Sequence, residues 1–252
     1  MFDNVWLLDL VSLAISIVVL LISITFHEVA HGYVSYKLGD DTAKESGRLS
    51  LNPFDHINFS SFLLLIIIMA IGTFTNGANS GFVMSLMSVM ICFTFAAPVP
   101  VSGNSLKNPL KDMAVIAISG PVANIIIALI SMVAIKYITL WSMPLLSGAS
   151  FPGEFFFYVY YFTIYFFSYM IQLNIGLAIF NPLPIPPLDG SKILYRFLPR
   201  NVLITFVKYE KHITLVLLLL LVFDVLDRPL NLIGNSVFSG LEFVVDLLPP
   251  RG

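Results

Sequence analysis

Long apolar runs separated by short polar stretches dominate the chain. Residues 5–36 open it, with no charged side chain from 10 to 26. A helix needs roughly 20 mostly apolar residues to cross a bilayer, so this run predicts a first membrane-spanning helix. It exceeds the roughly 7–15 residues of a leader-peptide core and is expected to be retained. Runs at 60–74 and 82–97 flank the polar turn Thr75-Asn76-Gly77-Ala78-Asn79 and predict a helical hairpin or a re-entrant pair. Residues 113–137, 154–180 and 213–225 predict three further spans. The last apolar run, 230–248, is broken by Gly234, Asn235, Ser236 and Gly240, and is expected along the interface or packed on the bundle. Arg48-Leu49-Ser50-Leu51 alternates polar and apolar as a short strand does. The expected fold is an all-α polytopic membrane protein. It has about six transmembrane helices, with a short β-hairpin or re-entrant segment after the first. One membrane-embedded domain over 1–252 is expected, with its core at about 5–200 and C-terminal helices at about 208–248.

Composition narrows the class. The chain is 58% hydrophobic and 11% charged, whereas a soluble domain carries about 25% charged residues. That excludes both a soluble globule and a disordered chain. The net charge of −2 gives no basic footprint for nucleic acid, and none is expected as a partner. The single cysteine, Cys92, excludes an internal disulfide and a multi-cysteine metal site. Three loops hold the basic residues: Lys37, Lys44 and Arg48; Lys107 and Lys111; Lys192, Arg196, Arg200, Lys208 and Lys211. The 139–153 loop has none. The positive-inside rule places the basic loops in the cytoplasm and the N-terminus outside. The aromatic density at 155–169 reads as lipid-facing bulk with interfacial anchors.

The chemistry sits inside the first span. His27-Glu28-Val29-Ala30-His31 puts three ionisable groups into a membrane helix, where a charged one costs roughly 2.5–3.5 kcal/mol at the centre. Imidazoles at i and i+4 project from one helical face and can share a metal ion. Glu28 lies about a hundred degrees round the helix, near enough to serve a water on that metal without being a ligand. This is the His-Glu-x-x-His arrangement of zinc hydrolases. A catalytic zinc takes three protein ligands and keeps one open position. Asp189, in Asn181-Pro182-Leu183-Pro184-Ile185-Pro186-Pro187-Leu188-Asp189-Gly190, is the candidate third ligand. The prolines end the preceding helix and force an extended path. Irregular backbone at membrane depth is tolerated where it lines a cavity or is buried in protein. Both halves fall at the cytoplasmic side. Zinc with ionised Asp189 and Glu28 makes a nearly neutral set, as a poorly solvated site requires. His56 and His212 fall in basic, loop-like contexts and are expected to be solvated or interfacial.

On these residues the chain resembles the site-2 protease family of intramembrane zinc metalloproteases, in a compact prokaryotic type without PDZ or CBS domains. GDDTAKESGRLSLNPFDHI at 39–57 is similar to the stretch after that family's catalytic helix. Ala97-Pro98-Val99-Pro100-Val101 resembles its Pro-Val-Pro turn, and Ser119-Gly120-Pro121-Val122-Ala123-Asn124 resembles its Gly-Pro-x-x-Asn helix start. The resemblance implies that His27, His31 and Asp189 bind one Zn2+ per chain. It implies that Glu28 is the catalytic acid/base and that Asn181 helps hold the substrate or its developing oxyanion. It places Gly120 and Asn124 in a motif near the site, to which no chemical role is assigned; for Asn124 the alternative is helix packing through small residues. It implies peptide-bond hydrolysis in or near the transmembrane segments of a protein substrate, within the lipid bilayer of a cell (inner) membrane. The active site would face the cytoplasm, with a regulatory membrane protein as a further partner. The 48–51 edge is read either as a strand that pairs with the unwound substrate or as a plain cytoplasmic hairpin. Two rival readings are a catalytically inactive helix-binding relative and a membrane metal transporter; the second predicts ligands strung along several helices and repeated halves, neither of which is visible.

Overall fold

The structure, a computed structural model, describes residues 5–56, 59–76, 99–147, 153–195, 197–223 and 225–249. The described residues are helical with irregular connections. Helix α1 spans Val5–Lys37, α2 is the single turn Thr42–Glu45, and α3 spans Phe59–Asn76. Helix α4 spans Pro109–Ser147 and α5 spans Glu154–Phe180. The short α6, Asp189–Tyr195, precedes α7, Arg200–Val222, and α8, Asp227–Asp246. Among the described residues, three helices are long and apolar enough to cross a membrane: Trp6–Lys37, Pro109–Ser142 and Glu154–Phe180. These match the first expected span and those at 113–137 and 154–180.

The other expected spans stand differently. The 60–74 run lies in α3, an uncharged helix of 18 residues whose apolar stretch among the described residues is Phe62–Ile71. The 82–97 run, with residues 77–79 of the turn before it, lies outside the described residues. The 213–225 run is the C-terminal part of α7, whose first half carries Arg200, Lys208, Glu210, Lys211 and His212. The apolar remainder covers only about 15 Å at 1.5 Å per residue, about half a bilayer. Six crossings are therefore not what the described residues display. The 230–248 run forms α8 and packs on the bundle, against α4 and α5.

Among the described residues there is no strand, and the expected β-hairpin is corrected accordingly. The reason is local. The Arg48 guanidinium donates to the Asp55 carbonyl, and Asn52 Oδ1 accepts the Phe54 N–H at 3.2 Å. His56 Nε2 donates to the Ser50 carbonyl at 2.8 Å. Side chains thus take up the polar groups that a ladder would use. The same bond corrects the reading of His56, which is fully buried rather than solvated. His212 is exposed, as expected.

Three apolar clusters hold the bundle. Leu13, Val19, Leu20 and Ile24 of α1 meet Met69 of α3 and Met170, Leu173 and Leu177 of α5. Phe180 and Leu188 pack with Leu217 and Leu221 of α7 and Leu230 of α8. Ala128 and Met132 of α4 pack with Ile171 and Ile175 of α5 and Val245 of α8. Helices α1, α4 and α5 are mutual neighbours. Their lower ends, with the Asn181–Asp189 loop, surround the ionisable residues.

Candidate metal centre

His27 and His31 lie on α1 and Asp189 starts α6. The three residues are buried, and each offers one ligand atom within 4.8 Å of the others. His27 Nε2 and His31 Nε2 are 3.1 Å apart, and Asp189 Oδ2 is 3.1 Å from the first and 2.9 Å from the second. Three lone-pair atoms converging this closely suit a shared cation. Zinc–nitrogen distances of about 2.0 Å in a tetrahedron set ligand atoms about 3.3 Å apart, so the donor set fits that ion in identity and size.

The outer nitrogens fix how the rings present themselves. His31 Nδ1 donates to the Ile116 carbonyl of α4 at 2.7 Å, leaving its Nε2 unprotonated and free to ligate. Ser119 Oγ lies 3.3 Å from the same nitrogen. The Asn124 carboxamide lies 3.2 Å from His27 Nδ1, and its Oδ1 is otherwise unpartnered. Amide oxygen and nitrogen are interchangeable in shape, and turning the group lets Oδ1 accept the Nδ1–H. Both rings then point Nε2 at Asp189. A Cβ on Gly120 would sit 2.5 Å from His27 Cε1 and 2.6 Å from His31 Nε2. The glycine is what lets α4 come up against the two imidazoles.

Asp189 is aimed by its loop. The Gly190 N–H donates to the Asn181 carbonyl at 2.7 Å, and a Cβ at Gly190 would lie 2.0 Å from the Pro182 carbonyl oxygen. The loop closes on itself only with glycine there. Lys192, one turn on, donates to Asp189 Oδ1 at 2.8 Å, so one carboxylate oxygen faces the imidazoles and the other faces an ammonium. Asn181 is buried, with Nδ2 unpartnered.

Glu28 is buried beside the triad, and its Oε2 accepts the Val99 N–H at 3.1 Å. The Val99–Ser105 segment is itself tied to the end of α1. Asp40, fully buried, accepts the Ser102 N–H at 2.8 Å, the Ser35 hydroxyl at 2.9 Å and both the hydroxyl and the N–H of Thr42. Burial would raise the Asp40 pKa, and these bonds more than offset it, so the carboxyl sits below its ordinary value.

The sequence profile described as Peptidase family M50 matches residues 15–223. The chain belongs to peptidase family M50, the site-2 protease family. A Bacillus subtilis (strain 168) protein named "Putative zinc metalloprotease YwhC" is 34% identical over 207 residues, covering 82% of this chain and 79% of that one. No solved structure gives a significant match.

In this M50 chain, the structure brings together His27, His31 and Asp189, with Glu28 buried alongside. Sequence reasoning missed the second layer. Asn124 and Gly120, read without a chemical role, lie against His27 and against both rings. Lys192 was read only as a basic loop residue that orients the chain, although it sits three residues after Asp189, the spacing of helical neighbours. Asp40 carried no signal of its own; its partners come from segments about 60 residues apart in the chain.

Proposed function

We propose that this M50 chain is a zinc endopeptidase that cuts peptide bonds in or near transmembrane segments of other membrane proteins. The observation that carries this reading is the buried triangle of His27, His31 and Asp189 beside a buried carboxylate that is not part of it. His27 and His31, through Nε2, and Asp189, through Oδ2, would hold one zinc ion. When bound, zinc supplies a water whose pKa falls toward about 7 and a Lewis acid for the scissile carbonyl. Glu28, oriented by the Val99 N–H, takes the proton of the attacking water and returns it to the leaving amine. Asn181, with an unengaged buried donor, serves the developing oxyanion. Lys192 adds a positive charge to a set that is otherwise balanced by Asp189 and Glu28, which favours accumulation of negative charge on the substrate.

Substrate helices hide their carbonyls in backbone hydrogen bonds, so local unwinding precedes the cut, and helix-breaking residues in the substrate favour it. The basic loops support a site at the cytoplasmic face of a cell membrane. A Glu28→Gln chain should retain stoichiometric zinc and lose about 1,000-fold or more in cleavage of a reconstituted transmembrane substrate, within the range expected for losing a principal acid/base. An Asp189→Ala chain should lose zinc as well. Unreduced cleavage by the Glu28 variant ends the assignment, and stoichiometric, tightly held zinc without Asp189 removes the ligand set.

A further inference from the structure

A second polar feature at membrane depth lies away from the metal centre. Helices α4, α5 and α8 enclose a cleft of about 550 Å³ whose floor is apolar. Its walls are not. Ser168 and Gln172 line it from the middle of α5, and Asn231, Asn235 and Glu242 from one face of α8. In the lower half of α5, from 168 to 180, Ser168 and Gln172 are the only exposed residues, and their neighbours are buried or partly buried. A surface facing lipid would show the reverse, because polar side chains at that depth are costly and find partners in protein. No hydrogen bond engages the side chains of Gln172, Asn231, Asn235 or Glu242 among the described residues.

Charge says what is missing. Lys136 of α4 is already engaged: it donates to the Val245 and Leu248 carbonyls at 2.8 and 3.1 Å, capping the C-terminus of α8, and pairs with Asp246 at 3.6 Å. Glu242 has no ion pair among the described residues. The cleft is thus left with an uncompensated carboxylate and a row of amides.

We infer that this cleft is the docking site for a transmembrane helix of a partner protein bearing a lysine or arginine near its middle. A helix lying against this open cleft would run beside a polar row that extends about 22 Å from Asn231 to Asp246 on α8. Its cation would meet Glu242, and its flanking polar groups would meet the amides. The docked helix is not the segment being cut. Asn174 bonds Ser23 of α1 at 2.8 Å, so that face of α5 looks toward the metal centre. Gln172, two residues away, lies about 200 degrees round the helix, on the opposite face.

The test uses the full chain, with the Glu28→Gln substitution so that nothing is cut, in phosphatidylcholine vesicles. A photo-crosslinking residue replaces Phe238, which lines the cleft, or Val18, exposed on α1 as a control. Two synthetic membrane-spanning peptides serve as probes, one all-leucine and one with a central lysine. The lysine peptide should crosslink at 238 about tenfold more than the leucine peptide, the scale of polar contacts in membranes. It should show no such preference at 18, and Glu242→Gln, an exposed change, should abolish the preference. Equal yields of the two peptides at 238, or a preference that survives Glu242→Gln, overturn the proposal. Chain-to-chain crosslinks that exclude both peptides would make a second copy the occupant and also overturn it. None of these readouts depends on hydrolysis, so a failed peptidase reading leaves them unchanged.

Discussion

The metal centre and the α5/α8 cleft both place polar groups at membrane depth, and they handle the cost in opposite ways. At the centre, the partners of the imidazoles, Asp189 and Glu28 come from within the chain: Ile116 and Asn124 of α4, Lys192 of α6 and the Val99 N–H. Each imidazole has one nitrogen held by α4 and the other aimed at Asp189. In the cleft, amides and a carboxylate line one space with no partner among the described residues. The difference separates a site that is finished from one that waits for another molecule. Burial with satisfied hydrogen bonds organises chemistry in place, whereas unsatisfied polar groups at this depth point outward to something that satisfies them.

The sharpest way to break the finished site is Gly120→Ala. The added methyl falls inside the space between the rings, so zinc content should drop to near zero with helicity by circular dichroism unchanged. Stoichiometric zinc in that variant would show that α4 can retreat, and the centre would not be the closed structure described here. Asn124→Ala removes an outer partner only. Zinc affinity, measured by competition with a chelator, should fall about 10- to 100-fold, and an unchanged affinity would reduce Asn124 to a packing residue.

Asp40 tests whether the strap that holds Glu28 belongs to the same finished network. Its folded pKa lies below its ordinary value, so its contribution to stability is fully present above about pH 4. That contribution is lost as the pH falls through the folded pKa. Asp40→Asn should flatten this acid limb in a thermal-unfolding pH series; an identical limb in both chains would deny Asp40 that role. The smallest effect belongs to the cleft. Glu242→Gln, on an exposed side chain, should change stability by less than about 0.5 kcal/mol and leave zinc content unaltered. A large loss would mean that Glu242 is part of the chain's own structure and the two regions are alike after all.

Much of this was readable before folding was considered. The His27/Glu28/His31 spacing is a property of one helix, whose geometry sequence alone implies. The apolar runs at 5–36, 113–137 and 154–180 are long enough that no tertiary contact is needed to make them helices or to favour lipid around them. Asp189 was reachable because prolines and glycine around it restrict the backbone locally. Arg48–Leu51 misled for the opposite reason: a strand exists only with a partner ladder, and here side chains of the same loop took that place. His56 was misread because burial of a loop residue depends on what packs over it.

Local periodicity and backbone restriction therefore made legible, from sequence, the long helices at 5–36, 113–137 and 154–180 and the three residues that are candidates for one ion. Only the tertiary structure decided that Gly120 clears room for the rings, that Asn124, Ile116 and Lys192 hold the two imidazoles and Asp189 in place, and that Asp40 ties down the segment holding Glu28. Those roles rest on distances between residues far apart in the chain, and such distances are set by the packing of whole helices, which no short window of sequence encodes.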